Sequence, residues 1–286
     1  MVDILCGYLR SDRETYLLGA DGKPATDQPR PGDADKAVES TIFSVMRDHL
    51  RKERRNDKTG EPIVRQAVDD DQLWCDCAFD LHGATFHEAV DLTYSTFECV
   101  PCFRGTEFER RADFRGAHFA GGAYFDEAHF AGGAYFHEAH FAVGADFEGA
   151  RFAGSAYFRV ATFTGSAHFG GATFTGIADF SWAHFKGDAD FGGATFKGDA
   201  YFYGARFAGD ADFSWAEFRA SAAFSGIQGQ PSFGFEACKF NRKFRGTNAY
   251  EWGPIPIPED NDGLPAGAVW KDFQEEDGKD GGTTNR

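Results

Sequence analysis

From Phe79 to Lys243 the chain repeats an eleven-residue unit fifteen times without insertion or deletion. Clear copies read ADFRGAHFAGG (Ala112–Gly122), AYFDEAHFAGG (Ala123–Gly133) and ADFSWAHFKGD (Ala178–Asp188). A unit this short cannot bury a core alone, so it must stack on copies of itself, which predicts a solenoid. Of the 32 Phe, 27 occupy two slots of the frame. Slot three supplies Phe114, Phe125, Phe136, Phe147, Phe158, Phe169, Phe180 and Phe191 to the expected core ladder. Slot eight supplies Phe119, Phe130, Phe141, Phe152, Phe163, Phe174, Phe185 and Phe196. Ala usually stands two places before each ring, as Ala112 does before Phe114.

That spacing selects strands over helices. Side chains alternate across a strand, so Ala and the Phe two places on face inward together while the residue between them faces out. An amphipathic helix needs apolar residues three and four apart, whereas these rings alternate at five and six. Each half of the unit then reads as a short strand and a corner, with the Gly-rich slots nine to eleven supplying tight turns through positive backbone dihedrals. Two units per coil give four sides, and 165 residues in 22-residue coils make a rod roughly 36 Å long at ~4.8 Å per strand. Asp80, Asp113, Asp146, Asp179 and Asp212 recur every 33 residues, a spacing that a duplicated three-unit segment or a larger coil would also produce. The 22-residue coil is the preferred reading.

The A-x-F-x-x-A-x-F pattern over Phe79–Lys243 resembles the pentapeptide-repeat proteins, which have a small residue two places before a central Leu or Phe. The resemblance implies a mainly β fold: a right-handed quadrilateral β-helix, here with a small helical N-terminal cap. Two departures stand out: Phe nearly replaces Leu, and every second repeat has six residues. The flanks VDILCGYLR (Val2–Arg10), MRDHLR (Met46–Arg51) and WCDCAFDLHGATF (Trp74–Phe86) are similar to actinobacterial members with a helical N-terminal segment. Such relatives often carry further helices, some membrane-spanning, ahead of the first motif, and a short variant or a truncated frame would explain their absence here.

The expected organisation is a helical segment with a loop at 1–66, the solenoid at 67–246, and an acidic Pro/Gly-rich cap and tail at 247–286. Val2, Ile4, Leu5, Tyr8 and Leu9 suit a short amphipathic helix; 19–35 reads as a loop. Val38, Ile42, Val45, Met46 and Leu50 mark a second helix from Lys36 to Arg54. Its basic RKERR end reads as a solvated helix terminus, with a nucleic-acid patch as the competing reading. The helices are expected to pack together and cover the first coil, because an open end exposes unpaired strand edges. Gly229 and Pro231 spoil one unit, Tyr250, Trp252, Ile255 and Ile257 are placed to fold over the last coil, and the stretch after Phe273 reads as disordered.

Net charge is −16, and the repeats hold 13 basic and 20 acidic residues. That balance argues against direct binding of nucleic-acid phosphate. No run of about 18 apolar residues exists, so no membrane span is expected. Asp3 and Arg10 interrupt the N-terminal apolar stretch, which argues against a secretion signal and points to the cytoplasm, with the six Cys reduced. Cys75, Cys77, Cys99 and Cys102 suit either a four-thiolate zinc site or structural thiols, and His118, His129 and His140 either a metal site or polar filler. No cofactor is expected. The sequence holds no G-x-S-x-G, G-x-x-x-x-G-K-[ST] or H-E-x-x-H motif, and a convex rod offers no obvious cleft, so an enzyme is not expected.

What remains is recognition. The leading expectation is a non-enzymatic scaffold that presents outward aromatics to a protein partner: Trp182, Trp215 and Tyr203, with Tyr124, Tyr135 and Tyr157 behind them, flanked by Asp179, Asp190 and Asp212. The alternative, implied by the resemblance alone, is inhibition or protection of a DNA topoisomerase or another DNA-binding protein by duplex mimicry. For the last coil, capping by the tail and pairing into a homodimer stay open.

Overall fold

The computed structural model describes residues 2–11, 32–55, 61–229 and 231–274; for 32–36 it describes the backbone only. The chain is mainly β, a solenoid of about seven coils. Its parallel strands are two to three residues long and stack in four sheets, one per side. Within a coil the chain visits them in a fixed order. The first face runs from Val90–Asp91 to Tyr250–Glu251, the second from Thr96–Phe97 to Arg206–Phe207, and the third from Ala123–Tyr124 to Phe233–Gly234. The fourth runs from Thr85–Phe86 to Val269–Lys271. First faces third across the axis, and second faces fourth.

Register sets the coil length. Ala134 pairs with Ala112 and Ala156, and Phe130 with Phe108 and Phe152, a step of 22 positions in each case. The ladder hydrogen bonds repeat with the same step, as Phe125 N–H donates to Asp146 O at 2.7 Å and Phe147 N–H to His168 O at 2.7 Å. The 33-residue recurrence of Asp is one and a half coils: it sends Asp113 and Asp179 to the first face and Asp146 and Asp212 to the third.

Inside, each ring of the ladder lies parallel on the ring one coil away. Phe136 and Phe158 have centroids 4.9 Å apart and planes 1° apart. Rings from opposite corners meet edge to face, as Phe147 and Phe158 do at 5.3 Å and 85°. Both geometries suit the aromatic quadrupole. From Phe114 to Phe196 the rings are 0–1% exposed, and each contributes on the order of 2 kcal/mol by burial.

The tight turn is not where the Gly-rich slots suggest. Positive φ falls at slot five of the unit: Gly116, Gly149, Gly171, Gly193 and Gly204, and equally Glu127, Glu138, Val160, Trp182 and Trp215. There the slot-six N–H returns to the slot-three carbonyl, as Ala128 N–H does to Phe125 O at 3.1 Å, and such a turn needs φ > 0 at its third residue. Glycine at slot ten answers a different demand, close approach of successive coils. A Cβ on Gly187 would sit 2.6 Å from the carbonyl carbon of Gly165.

Val160 holds φ of 60° with a branched Cβ, at a position where other units carry glycine. The left-handed region costs a non-glycine residue roughly 1–2 kcal/mol, against roughly 0.5–1 kcal/mol for glycine's extra chain entropy. Val160 is exposed, so little packing is at stake. Val160→Gly is therefore expected to raise stability by about 0.5–1 kcal/mol in denaturant unfolding; a loss of stability would contradict this reading of the corner.

Two helices, α1 (Val2–Arg10) and α2 (Gly32–Leu50), close the N-terminal end. The buried line of α1 is Val2, Cys6 and Leu9, spaced four and three, whereas Ile4 is exposed. In α2 the buried apolar residues are Ile42, Phe43, Met46 and Leu50, while Val38 and Val45 face out. Phe43 meets Phe86 edge-on at 4.9 Å. Fully buried Glu39 accepts the N–H of Glu88 at 2.8 Å, which satisfies a donor on the open first coil. Helix α2 begins at Gly32, so 32–35 is helical; the rest of the expected loop, 19–31, lies outside the described residues.

The RKERR run lies beyond the helix, correcting its placement in the last turn. Arg51 donates to the Thr93 carbonyl at 2.9 Å, Lys52 pairs with Glu98 at 2.7 Å, and Arg54 donates to Gly116 O at 2.5 Å. These cations clamp the cap to the coils, because the carbonyls and carboxylates of the first corners point at them.

At the far end Tyr250 and Ile255 are buried, and Trp252 packs on Phe224 and Phe240. Strand Val269–Lys271 then adds a ninth strand to the fourth face beside Lys239–Asn241. The stretch expected to be disordered lies, from residue 275 on, outside the described residues. Among the described residues no helix is long and apolar enough to cross a membrane.

Candidate interaction surface

With the rings consumed inside, recognition falls to corners and outward slots. Trp182 occupies slot five and Tyr203 slot four one coil later, so both stand on the corner between first and second faces. Their rings meet edge to face at 5.3 Å. The indole lies down on the next coil: a Cβ on Gly204 would fall 2.7 Å from it. Tyr94 packs in the same way over Gly116, where a Cβ would fall 2.5 Å from the phenol ring. At these two turns the bulky slot-five residue is accommodated by glycine at slot five of the following coil, whereas Trp215 is followed there by Ala237.

Trp215 belongs to the diagonally opposite corner, between third and fourth faces. It is the most exposed of the three, at 63%, against 39% for Trp182 and 47% for Tyr203. Asp179 lies on the first face, whereas Asp190 and Asp212 pair in register on the third. The six residues thus divide into Trp182, Tyr203 and Asp179 on one side and Trp215, Asp190 and Asp212 on the other. Tyr135 and Tyr157 stack at 5.1 Å on the first face, with His137 5.3 Å from Tyr157 and Arg111 4.7 Å over Tyr135. Tyr124 stands on the third face.

The outward Asp residues carry a local role that the sequence reading missed. Asp179 accepts the N–H of Ser181 at 2.9 Å, Asp190 that of Gly192 at 2.7 Å, and Asp212 that of Ser214 at 2.8 Å. Aspartate two residues before a turn makes this bond readily. Asp113 is buried beneath Arg111 and Arg115, which both pair with it. At slot eleven the bond crosses coils: Asp188 accepts from Asp210 N–H at 2.9 Å. Much of the acid therefore caps backbone donors as well as carrying charge.

His118 and His140 stack at 4.9 Å on the second face, while His129 sits on the fourth beside Glu107. Burial, then their mutual proximity and Arg54, pushes His118 below the usual imidazole range, and burial with Lys186 does the same to His140. Cys77 and Cys99 are in register, one coil apart, since Glu98 N–H donates to Cys75 O at 2.7 Å. Cys75 is buried, and burial with nearby Glu98 pushes its thiol up to about 11. Among the described residues no three His, Cys, Asp or Glu converge as a metal-binding group.

Such a molecule is a parallel β-solenoid whose units are pairs of short repeats around a ladder of apolar rings. Residues 81–228, just over half of the 286-residue chain, match the family model described as pentapeptide repeats (9 copies), in four overlapping stretches. The chain belongs to the pentapeptide-repeat family. No curated protein and no solved structure matched it.

Proposed function

We propose that the protein is a non-catalytic scaffold whose rigid exterior binds a protein partner, with Trp182 and Tyr203 as the anchor and Asp179 beside them. The observation that supports this is the pairing of these two half-exposed rings on one corner of a rod whose Phe ladder is fully buried. Aromatic side chains held rigid by their neighbours are the residues most often found at binding hot spots. Trp215, Asp190 and Asp212 lie too far round the coil to join the same flat contact, and form a second, independent candidate.

Duplex mimicry gains less support. Asp190 and Asp212 each commit an oxygen to a backbone N–H, and the repeats mix 13 basic with 20 acidic residues. We also infer a reducing, cytoplasmic setting, which six unpaired cysteines favour.

The test is capture of a partner by the wild-type chain, its identification, and measurement of its affinity for Trp182→Ala and Tyr203→Ala. Each variant is expected to bind at least about 30-fold more weakly, the loss of a hot spot worth ~2 kcal/mol. Gly204→Ala, which lifts the indole off its seat, is expected to weaken binding too. Unchanged affinity in all three would remove this corner from the contact.

A further inference from the structure

Two half-exposed thiols meet across the first coil step. Cys75 O accepts the N–H of Glu98 at 2.7 Å, the same ladder bond that Phe97 O accepts from Ala120 at 2.8 Å one coil on. That register sets Cys77 opposite Cys99, both in slot ten of the frame. Registered neighbours in parallel strands lie ~4.8 Å apart, inside the ~4.4–6.8 Å between Cα atoms that a disulfide spans. The Cys99 side chain already reaches back across the gap. Its Sγ donates at 2.9 Å to the carbonyl of Asp76, which belongs to the peptide bond that carries Cys77. Cys77 Sγ lies 3.9 Å from Asp76 Oδ1, and both cysteines are half-exposed. From Gly121 to Gly209 slot ten is glycine except at Val143, because successive coils approach closely there, so two thiols in that slot are a departure that close packing does not explain.

We propose that Cys77 and Cys99 form a reversible disulfide, closed by exchange with a small disulfide such as oxidised glutathione. One cysteine thiolate attacks the small disulfide and expels one of its thiols; the other cysteine then attacks the mixed disulfide and expels the second. The two cysteines lose two protons and two electrons, which the small disulfide takes up as two free thiols. The bond staples the cap to the coils, because Cys77 ends the segment on which α2 rests. Trp74 N–H donates to His49 O at 2.9 Å, the two rings stack at 4.1 Å, and Cys75 Sγ donates to Leu50 O at 3.5 Å. In a reducing cytoplasm the pair stays as thiols, and the bond closes only under oxidising conditions. Cys102 is the competing thiol, but its backbone lies round the corner on the third face, bridged to Asp80 and Tyr124. Cys6, Cys75 and Cys238 are buried.

The test is oxidation of the folded full chain with oxidised glutathione, blocking of the remaining thiols, and mass mapping after cleavage before aspartates, which isolates Cys77 in Asp76–Phe79. Expected are the loss of two of the six thiols, a cross-link from that segment to Cys99, and a rise of roughly 5 °C in the thermal midpoint that a reductant reverses. Cys102→Ser keeps both the link and the rise, whereas Cys77→Ser and Cys99→Ser abolish them. A link of Cys102 to either Cys77 or Cys99 overturns the proposal. So do a link between two chains, retention of all six thiols, and a closed bond that leaves the thermal midpoint unchanged or lower.

Discussion

Phe158→Ala is expected to lower stability by about 3–5 kcal/mol, the range for removing a fully enclosed ring from a core that cannot collapse. Phe158 stacks on Phe136 and Phe180 at 4.9 Å each and meets Phe147 and Phe169 edge-on at 5.3 Å each. The surrounding rings are tied to backbone ladders on all four sides, so they cannot move in to fill the space. Each coil touches only its neighbours, so a defect at mid-rod also weakens the coupling between the two halves. Denaturant unfolding should show the lower midpoint together with a shallower slope, because the halves begin to unfold separately. Thr162→Ala, in the adjacent outward slot, should change stability by less than about 0.5 kcal/mol. A Phe158→Ala loss under about 1 kcal/mol would mean that the ladder is loosely packed.

Phe43→Asp is the second large effect. Phe43 is 2% exposed and plugs the first coil against Phe86. A carboxylate there has no cation to pair with in the ring stack, and removing the plug opens the strand edges that α2 covers. The expected cost is about 3–5 kcal/mol, as for an uncompensated buried charge. The exposed end should also self-associate, since unpaired parallel edges template further pairing. Light scattering of the purified variant is expected to show concentration-dependent growth in mass, reduced by Arg or Lys substitutions on the outward slots of the first coil. A monodisperse Phe43→Asp of unchanged stability would show that α2 does not serve as the cap.

The ladder and its strands were legible because one residue type, Phe, recurs in two fixed slots, and only alternation along a strand brings those slots to a common side. Coil length was legible in outline, although the 33-residue rhythm of Asp113, Asp146, Asp179 and Asp212 obscured it. Those residues fall on opposite faces in turn because their spacing is one and a half coils. Corner chemistry was not legible. Slots five and ten are both rich in glycine, one for positive φ as at Gly116 and the other for coil spacing as at Gly187, and composition alone does not separate the two reasons. The seating of Trp182 on Gly204 becomes visible only when successive coils are written side by side. Strand Val269–Lys271 had no signal at all, since it lies outside the repeat and pairs through a long connection.

The measurement that tests the coil most directly is the distance between spin labels carried on encoded non-cysteine side chains at Glu107 and Lys239. Both residues lie on the fourth face, six strands apart, in register through Glu217. Six coil steps place the two backbones roughly 29 Å apart, at ~4.8 Å per coil, and that is the predicted result. A separation of roughly 19 Å, which four larger 33-residue coils would give at ~4.8 Å each, would contradict the stacking of every Phe on its counterpart in the next coil.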